Sequence, residues 1–224
     1  MLTLHHLEYS QSFRILWLLE ELGADYELKI YERDATTYQA PPELKKLSPL
    51  GSAPVITDDE IVLAESSAII DYILDKHPNS NLRVSPGSKD RVRYLFWMHA
   101  SQGSMMSLIL MEAVFRIIIT RVPFFIRPII KMVLEQATQI LIKPRIASML
   151  QIAETDLKFS DYFGGDRITA ADITMIYPMA AAKDRFYLDD DYPECNAWLD
   201  RLQQSKSFKS ATQKDGRDSI VLRV

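Results

Sequence analysis

The residues best suited to hold a small polar molecule fall in Gly51-Ser52-Ala53-Pro54-Val55-Ile56 and, just downstream, in Ala64-Glu65-Ser66-Ser67-Ala68. Pro54 heads an apolar run, and proline, having no N–H, belongs at the first residue or the edge of a strand. An X-Pro bond at such a place is often cis. That turn would leave the N–H and C=O of Ala53 facing outward, ready to pair with an extended peptide laid alongside. Glu65-Ser66 opens a helix, since Ile69, Tyr72 and Ile73 recur on one face. Free N–H groups and partial positive charge at a helix start suit a carboxylate. Ser66 adds a hydroxyl donor, and Glu65 can accept from an ammonium. Together they offer a peptide-pairing backbone beside a binding point for an α-amino-acid head group. A strand opener followed by a helix cap would use the same residues without any ligand.

The elements that position these residues are legible around them. Leu2 and Leu4 alternate with Thr3 and His5, as in a half-buried strand. Ile15, Leu18, Leu19 and Leu22 follow at helical spacing, and Gly23 stands where a helix stops. Tyr26, Leu28 and Ile30 alternate again. Residues 32–53 form a polar, proline-bearing connection with a short helix at Pro42–Leu47, and Asp58-Asp59-Glu60 turns one strand into the next. His77-Pro78 ends the helix that Ser66 begins. Residues 78–89 read as a linker between a first domain, 1–77, and a second, 90–224, that is helical throughout. In the second domain Thr169 and Asp172 form a capping box, with Ile168 and Ile173 as its staple.

Composition narrows the function classes. Of 224 residues, 47% are hydrophobic and 25% charged, an ordinary globular balance. A formal charge of −4 argues against a nucleic-acid binder that relies on a net positive field. Cys195 is the single cysteine, which excludes a disulfide framework and a CxxC redox or zinc site and fits a reducing compartment. His5, His6, His77 and His99 show no metal-ligand spacing, so no metal is expected, and the two in the first strand read as hydrogen-bonded structure. The start of the chain lacks signal-peptide order, and no stretch is expected to reach the ~20 apolar residues of a membrane span.

Taken together, the Ser52-Ala53-Pro54-Val55-Ile56 and Ala64-Glu65-Ser66-Ser67-Ala68-Ile69 segments resemble the glutathione transferase superfamily. The likeness extends through the order of strands and helices to the capping box. It implies a thioredoxin-like α/β domain with a mixed four-stranded sheet, joined to an all-α domain, in a cytoplasmic homodimer. It further implies that Ala53, Pro54, Glu65 and Ser66 bind glutathione. Ser52 stands where the family usually carries a lysine, so Lys45 or Lys46 is expected to hold the glycine carboxylate. Tyr9-Ser10-Gln11-Ser12-Phe13-Arg14 resembles the serine-using, theta-like branch, in which the serine stands four residues before the arginine. Ser10 is thereby assigned as donor to the glutathione thiolate, with Tyr9 and Ser12 as runners-up and a simple helix cap as the bland reading. Tyr9, Met105 and Met106 are expected in the cleft for a hydrophobic electrophile, methionine being adaptable to varied apolar shapes, and Gln102 is expected to face a partner's site. The function implied is glutathione conjugation, with hydroperoxide reduction as an extension. A glutathione-binding or ligand-carrying protein, or a non-catalytic assembly module, stands as the alternative.

Between Glu112 and Glu135 the charges are all positive, at Arg116, Arg121, Arg127 and Lys131, and the rest is largely apolar. Pro123 and Pro128 should split it into two helical pieces around an irregular corner. Such a segment either walls the cleft and packs in the core or rests peripherally on an anionic membrane, as some fungal relatives in this branch associate with internal membranes. The proline breaks weaken any single amphipathic face and favour the first reading.

Overall fold

The computed structural model describes residues 1–48 and 50–222; Pro49, at the head of the peptide-pairing stretch, lies outside them. A four-stranded mixed sheet runs in the order β2-β1-β3-β4, with β1 at Leu2–Leu7, β2 at Glu27–Tyr31, β3 at Val55–Asp58 and β4 at Ile61–Ala64. β1 is parallel to β2 and antiparallel to β3, and β3 and β4 form a hairpin. Parallel neighbours need a crossover, and α1 (Phe13–Leu22) supplies it. Gly23 ends α1 at φ 59°, its N–H bonded to the carbonyls of Glu20 and Leu19. α2 (Pro42–Leu47) and α3 (Ser66–Lys76) complete this part.

β1 departs from the half-buried expectation, because His5 and His6 are buried along with Leu4 and Leu7. It is an interior strand covered on both faces. Leu4 packs in the main core with α1 and α3, whereas Leu7 joins Tyr31, Ala40, Leu44 and Val55 in a smaller core beneath α2. Both histidines are tolerated because each is hydrogen-bonded: His5 to Tyr31 Oη and Thr57 Oγ1, His6 to Ser12 Oγ and Asp215.

The linker is not a loose tether. Leu82 and Val84 are buried, and Leu82 C=O accepts from Ala170 N–H at 2.9 Å. α4 (Arg91–Ala100) passes through a π-helical stretch, Ser101–Met106, into α5 (Ser107–Arg121). The result is a 31-residue helix, Arg91–Arg121, long and apolar enough to cross a membrane, contrary to the expectation that none would be. Its apolar length has another use here, since Tyr94, Trp97, Met98, Met105 and Ile109 are buried in the main core.

α6 (Arg127–Ala137), a second π-helical stretch (Thr138–Ile142) and α7 (Lys143–Leu157) return along it. The corner falls at residues 122–126, as the prolines require, with Pro128 seated harmlessly in the first turn of α6. The expectation that this segment packs in the core is corrected: α6 contains no buried residue, and Phe124 and Phe125 are 81% and 69% exposed.

α8 (Ala170–Asp184) is buried along most of its length, with α9 (Pro193–Gln204) and α10 (Lys206–Asp215) around it. The buried Asp172 carboxylate accepts from Trp198 Nε1, Phe163 N–H, Thr169 N–H and Thr169 Oγ1, all at 2.8–2.9 Å. Burial raises its pKa, and the four donors oppose that rise. A Cβ at Gly164 would lie 2.3 Å from Thr169 Oγ1, so only glycine fits beside the box. α10 docks on α1, where Phe208 meets the rings of Phe13 and Trp17 edge-on at 5.2 and 5.4 Å. Asp172→Ala should lower unfolding free energy by at least about 3 kcal/mol, because it orphans several buried donors. Urea denaturation checks this, and a loss under about 1 kcal/mol would mean water replaces the carboxylate.

Candidate functional site

A cleft of about 460 Å³ opens between the sheet domain and the helical domain. Tyr9, Ser10 and Gln11 reach it from the loop after β1; Lys45, Ser52 and Ala53 from α2 and the approach to β3; Met106, Ile109, Leu110, Ala113 and Ile117 from the long helix. Polar groups therefore lie on one wall and apolar ones on the other. A larger cavity of about 660 Å³ between α8, α9 and α10 holds none of the residues singled out from the sequence.

The loop after β1 is held by its own hydroxyls. Ser10 Oγ lies 2.7 Å from Leu7 O and 2.7 Å from Ser12 Oγ, and it accepts Ser12 N–H at 3.2 Å. Ser12, not Ser10, occupies the N-cap position of α1. Ser12 Oγ also accepts Leu7 N–H at 3.1 Å and lies 2.8 Å from His6 Nδ1. Tyr9 takes φ 50°, a left-handed conformation. Its carbonyl accepts from Tyr177 Oη and Arg33 Nη2, both at 3.3 Å. Glu8 accepts from Arg33 N–H and from Arg217 Nε at 2.7 and 3.0 Å.

The Ala53–Pro54 bond is cis, Ala53 lines the cleft, and Pro54 is buried. Glu65 is exposed at φ 75°, immediately before the buried Ser66 that begins α3. Lys45 lies on the cleft wall, with Nζ donating to Gln39 Oε1 at 2.9 Å, whereas Lys46 is exposed and away from it.

The methionines separate. Met106 faces the cleft, but Met105 is 1% exposed and belongs to the core, so its expected place in the cleft is corrected. Neighbouring residues on a helix point about 100° apart, and only one of the two can face a given wall. Gln102, expected towards a partner's site, donates within its own chain to Gln11 Oε1 at 2.9 Å.

Other residues at or near the site carried no local sequence signal. Arg33, Tyr177 and Arg185 all line the cleft. Arg14 is wholly buried in the first turn of α1, its guanidinium without a hydrogen-bond partner among the described residues and 5.7 Å from the centre of the Tyr177 ring. Burial pushes its pKa down to about 9, with Tyr177 opposing the shift. Burial raises Tyr177 in turn, and Arg33 and Arg14 oppose that. Cys195 lies in the core, where burial holds its thiol well above the usual range, which makes it inert.

A mixed four-stranded sheet with a cis-proline at the entrance to β3, joined to a helical domain across a shared cleft, defines a thioredoxin-like domain fused to an all-α partner. Comparison with known proteins carries this from a fold to a family. The family model described as "Glutathione S-transferase, N-terminal domain" matches residues 1–75, and that described as "Glutathione S-transferase, C-terminal domain" matches residues 133–201. Glutathione S-transferase 3 of Schizosaccharomyces pombe is 31% identical, over 99% of this chain and 91% of its own. Glutathione S-transferase 1 of Saccharomyces cerevisiae is 28% identical, over 96% of this chain and 95% of its own. Among solved structures, a glutathione S-transferase from Actinobacillus pleuropneumoniae superposes with a TM-score of 0.79 at 31% identity, covering 96% of this chain and 93% of that one. The chain belongs to the glutathione S-transferase family, and it is a transferase of that type.

Proposed function

We propose that this transferase activates glutathione at Ser10 and joins its sulfur to hydrophobic electrophiles held against Met106, Ile109 and Leu110. The supporting observation is that Ser10 and Ala53 line the same cleft as Met106, Ile109 and Leu110. A free thiol has a pKa of about 8.5, and each unit of depression requires about 1.36 kcal/mol of preference for the thiolate. A hydroxyl donor and a helix N-terminus supply such preference. The buried Arg14 guanidinium in the first turn of α1 adds positive potential there. The resulting thiolate attacks the electrophilic carbon and displaces its leaving group, while Ser10 remains a donor throughout. In hydroperoxide reduction the same thiolate would attack the O–O bond.

In this reading Ala53 pairs with the cysteinyl main chain, and Glu65 and Ser66 hold the γ-glutamyl head group. Lys45, on the cleft wall, holds the glycine carboxylate that the lysine missing at Ser52 would otherwise bind. We keep 78–89 as the boundary, so that 1–77 carries the tripeptide and 90–224 the electrophile. Ile61 and Val62 on β4, with Val92, Leu95 and Phe96 on α4, are exposed apolar surface. A two-fold dimer would cover them by setting the sheet domain of one copy on the helical domain of the other.

Ser10→Ala should raise the pKa of bound glutathione by about one unit or more, cutting turnover about tenfold at pH values below that pKa. Tripeptide affinity should change by only a few fold. Wild-type turnover in Ser10→Ala together with loss in Tyr9→Phe would transfer the role to Tyr9. Lys45→Ala should weaken glutathione binding about tenfold, in keeping with the roughly 1.5–3 kcal/mol of a charged hydrogen bond. Lys46→Ala should stay near wild type by calorimetry, and equal effects of the two would reject Lys45 as the anchor. Light scattering should give about twice the chain mass of 25.7 kDa; a monomer at micromolar concentration would refute the dimer.

A further inference from the structure

Behind Ser10 the hydroxyl contacts continue inward. Ser12 Oγ is 2.8 Å from His6 Nδ1, and His6 Nε2 is 2.6 Å from Asp215 Oδ1 at the end of α10. The side chains of His6 and Asp215 are 1% and 2% exposed. Arg217, two residues on, is engaged by Glu8 and Glu32. His5, next on β1, turns to the opposite face of the sheet and bonds Tyr31 and Thr57. His6 is therefore the hydrogen-bonded partner of the Asp215 carboxylate. We infer that His6 is a positioning residue for glutathione activation: anchored by Asp215, it donates from Nδ1 to Ser12 and so leaves the Ser10 hydroxyl hydrogen free for the sulfur. This rests on the reading of Ser10 given above.

The number of protons in the pair fixes the direction of these hydrogen bonds. A buried pair that is neutral overall carries two: one on Nδ1, and one between Nε2 and the carboxylate. This holds whether the second sits on nitrogen as an ion pair or on oxygen as a neutral pair. With a single proton on Nε2 and a bare Nδ1, the buried negative charge would be offset only by Arg217, which Glu8 and Glu32 already engage, and that is unfavourable. Each serine hydroxyl has one hydrogen to give and two lone pairs to fill. Ser12 Oγ accepts from His6 Nδ1 and from Leu7 N–H, so its own hydrogen goes to Ser10 Oγ at 2.7 Å, the nearer of its two acceptors, the other being Leu7 O at 3.1 Å. Ser10 Oγ then accepts from both Ser12 Oγ and Ser12 N–H, and its hydrogen turns from Leu7 O to an arriving thiolate. If Nδ1 were an acceptor, it would consume the Ser12 hydrogen. Ser10 could then reach the sulfur only by leaving the Ser10–Ser12 contact without a hydrogen. Chains of aligned hydrogen bonds also polarise one another, so each donor strengthens the next.

The test titrates the thiol of glutathione bound to the full-length protein by ultraviolet absorbance. It is combined with nitrogen NMR of the His6 ring in the same complex. Ser12→Ala and His6→Phe should each raise the thiol pKa by about half a unit to one unit, about three- to tenfold less thiolate at pH values below that pKa. Glutathione affinity should change by less than about threefold, and the His6→Phe effect should largely vanish in a Ser12→Ala background. The wild-type ring should show Nδ1 protonated. A bare Nδ1, an unchanged thiol pKa in Ser12→Ala, or additive effects in the double variant would each overturn the inference. If His6→Phe does not fold, the Ser12→Ala titration and the wild-type ring spectrum decide. Ser10→Ala in the same titration separates the two levels. No effect there removes the Ser10 reading, whereas an effect there with none in Ser12→Ala removes only the relay.

Discussion

The contact between His6 and Asp215 joins the end of α10 to the first strand of the chain, across 209 positions of sequence. Two polar side chains are buried there, and each satisfies the other. Around that contact the rest of the site takes shape. His6 holds Ser12, Ser12 and Ser10 hold Leu7, and the loop after β1 thereby keeps one conformation at the mouth of the cleft. Phe208 against Phe13 and Trp17 seals the same helix pair from the apolar side. The loop after β1 is thus supported from the helical domain as much as from its own sheet.

The helical domain meets this requirement through its own buried anchor. Asp172 ties the start of α8 to Phe163 and Trp198, and the stacked rings of Trp97, Phe163 and Trp198 extend that anchor into the long helix. The long helix then turns Met106, Ile109 and Leu110 to the cleft. An apolar cleft wall that includes an adaptable methionine is thus carried on a rigid core.

Much of this was readable in the order of residues. Each strand and helix of the first domain follows from alternation, helical spacing and its punctuation by Gly23, Pro54 and Pro78. The Thr169–Asp172 box is local chemistry, legible within a few residues. What escaped had to be assembled from distant segments. The burial of His5 and His6 depends on β1 being interior and on a partner more than 200 residues away, which no local pattern encodes. Met105 and Met106 are indistinguishable by type, and only the phase of the long helix, shifted by its π-helical stretch, decides which one faces the cleft. Arg33, Tyr177 and Arg185 meet at the cleft from different elements, and as single residues they looked like any others. The apolar richness of residues 112–135 suggested a core. In fact that composition lies largely on the surface, because α6 has nothing packed over it among the described residues.

The central claim is that glutathione lies in this cleft with its sulfur at Ser10. A crystal structure of the protein with glutathione bound tests it most directly. The account predicts the sulfur within hydrogen-bonding distance of Ser10 Oγ, and the cysteinyl main chain paired with Ala53. It also predicts the γ-glutamyl carboxylate at Ser66. A sulfur seated on the Tyr9 hydroxyl, or a tripeptide bound outside this cleft, would contradict it.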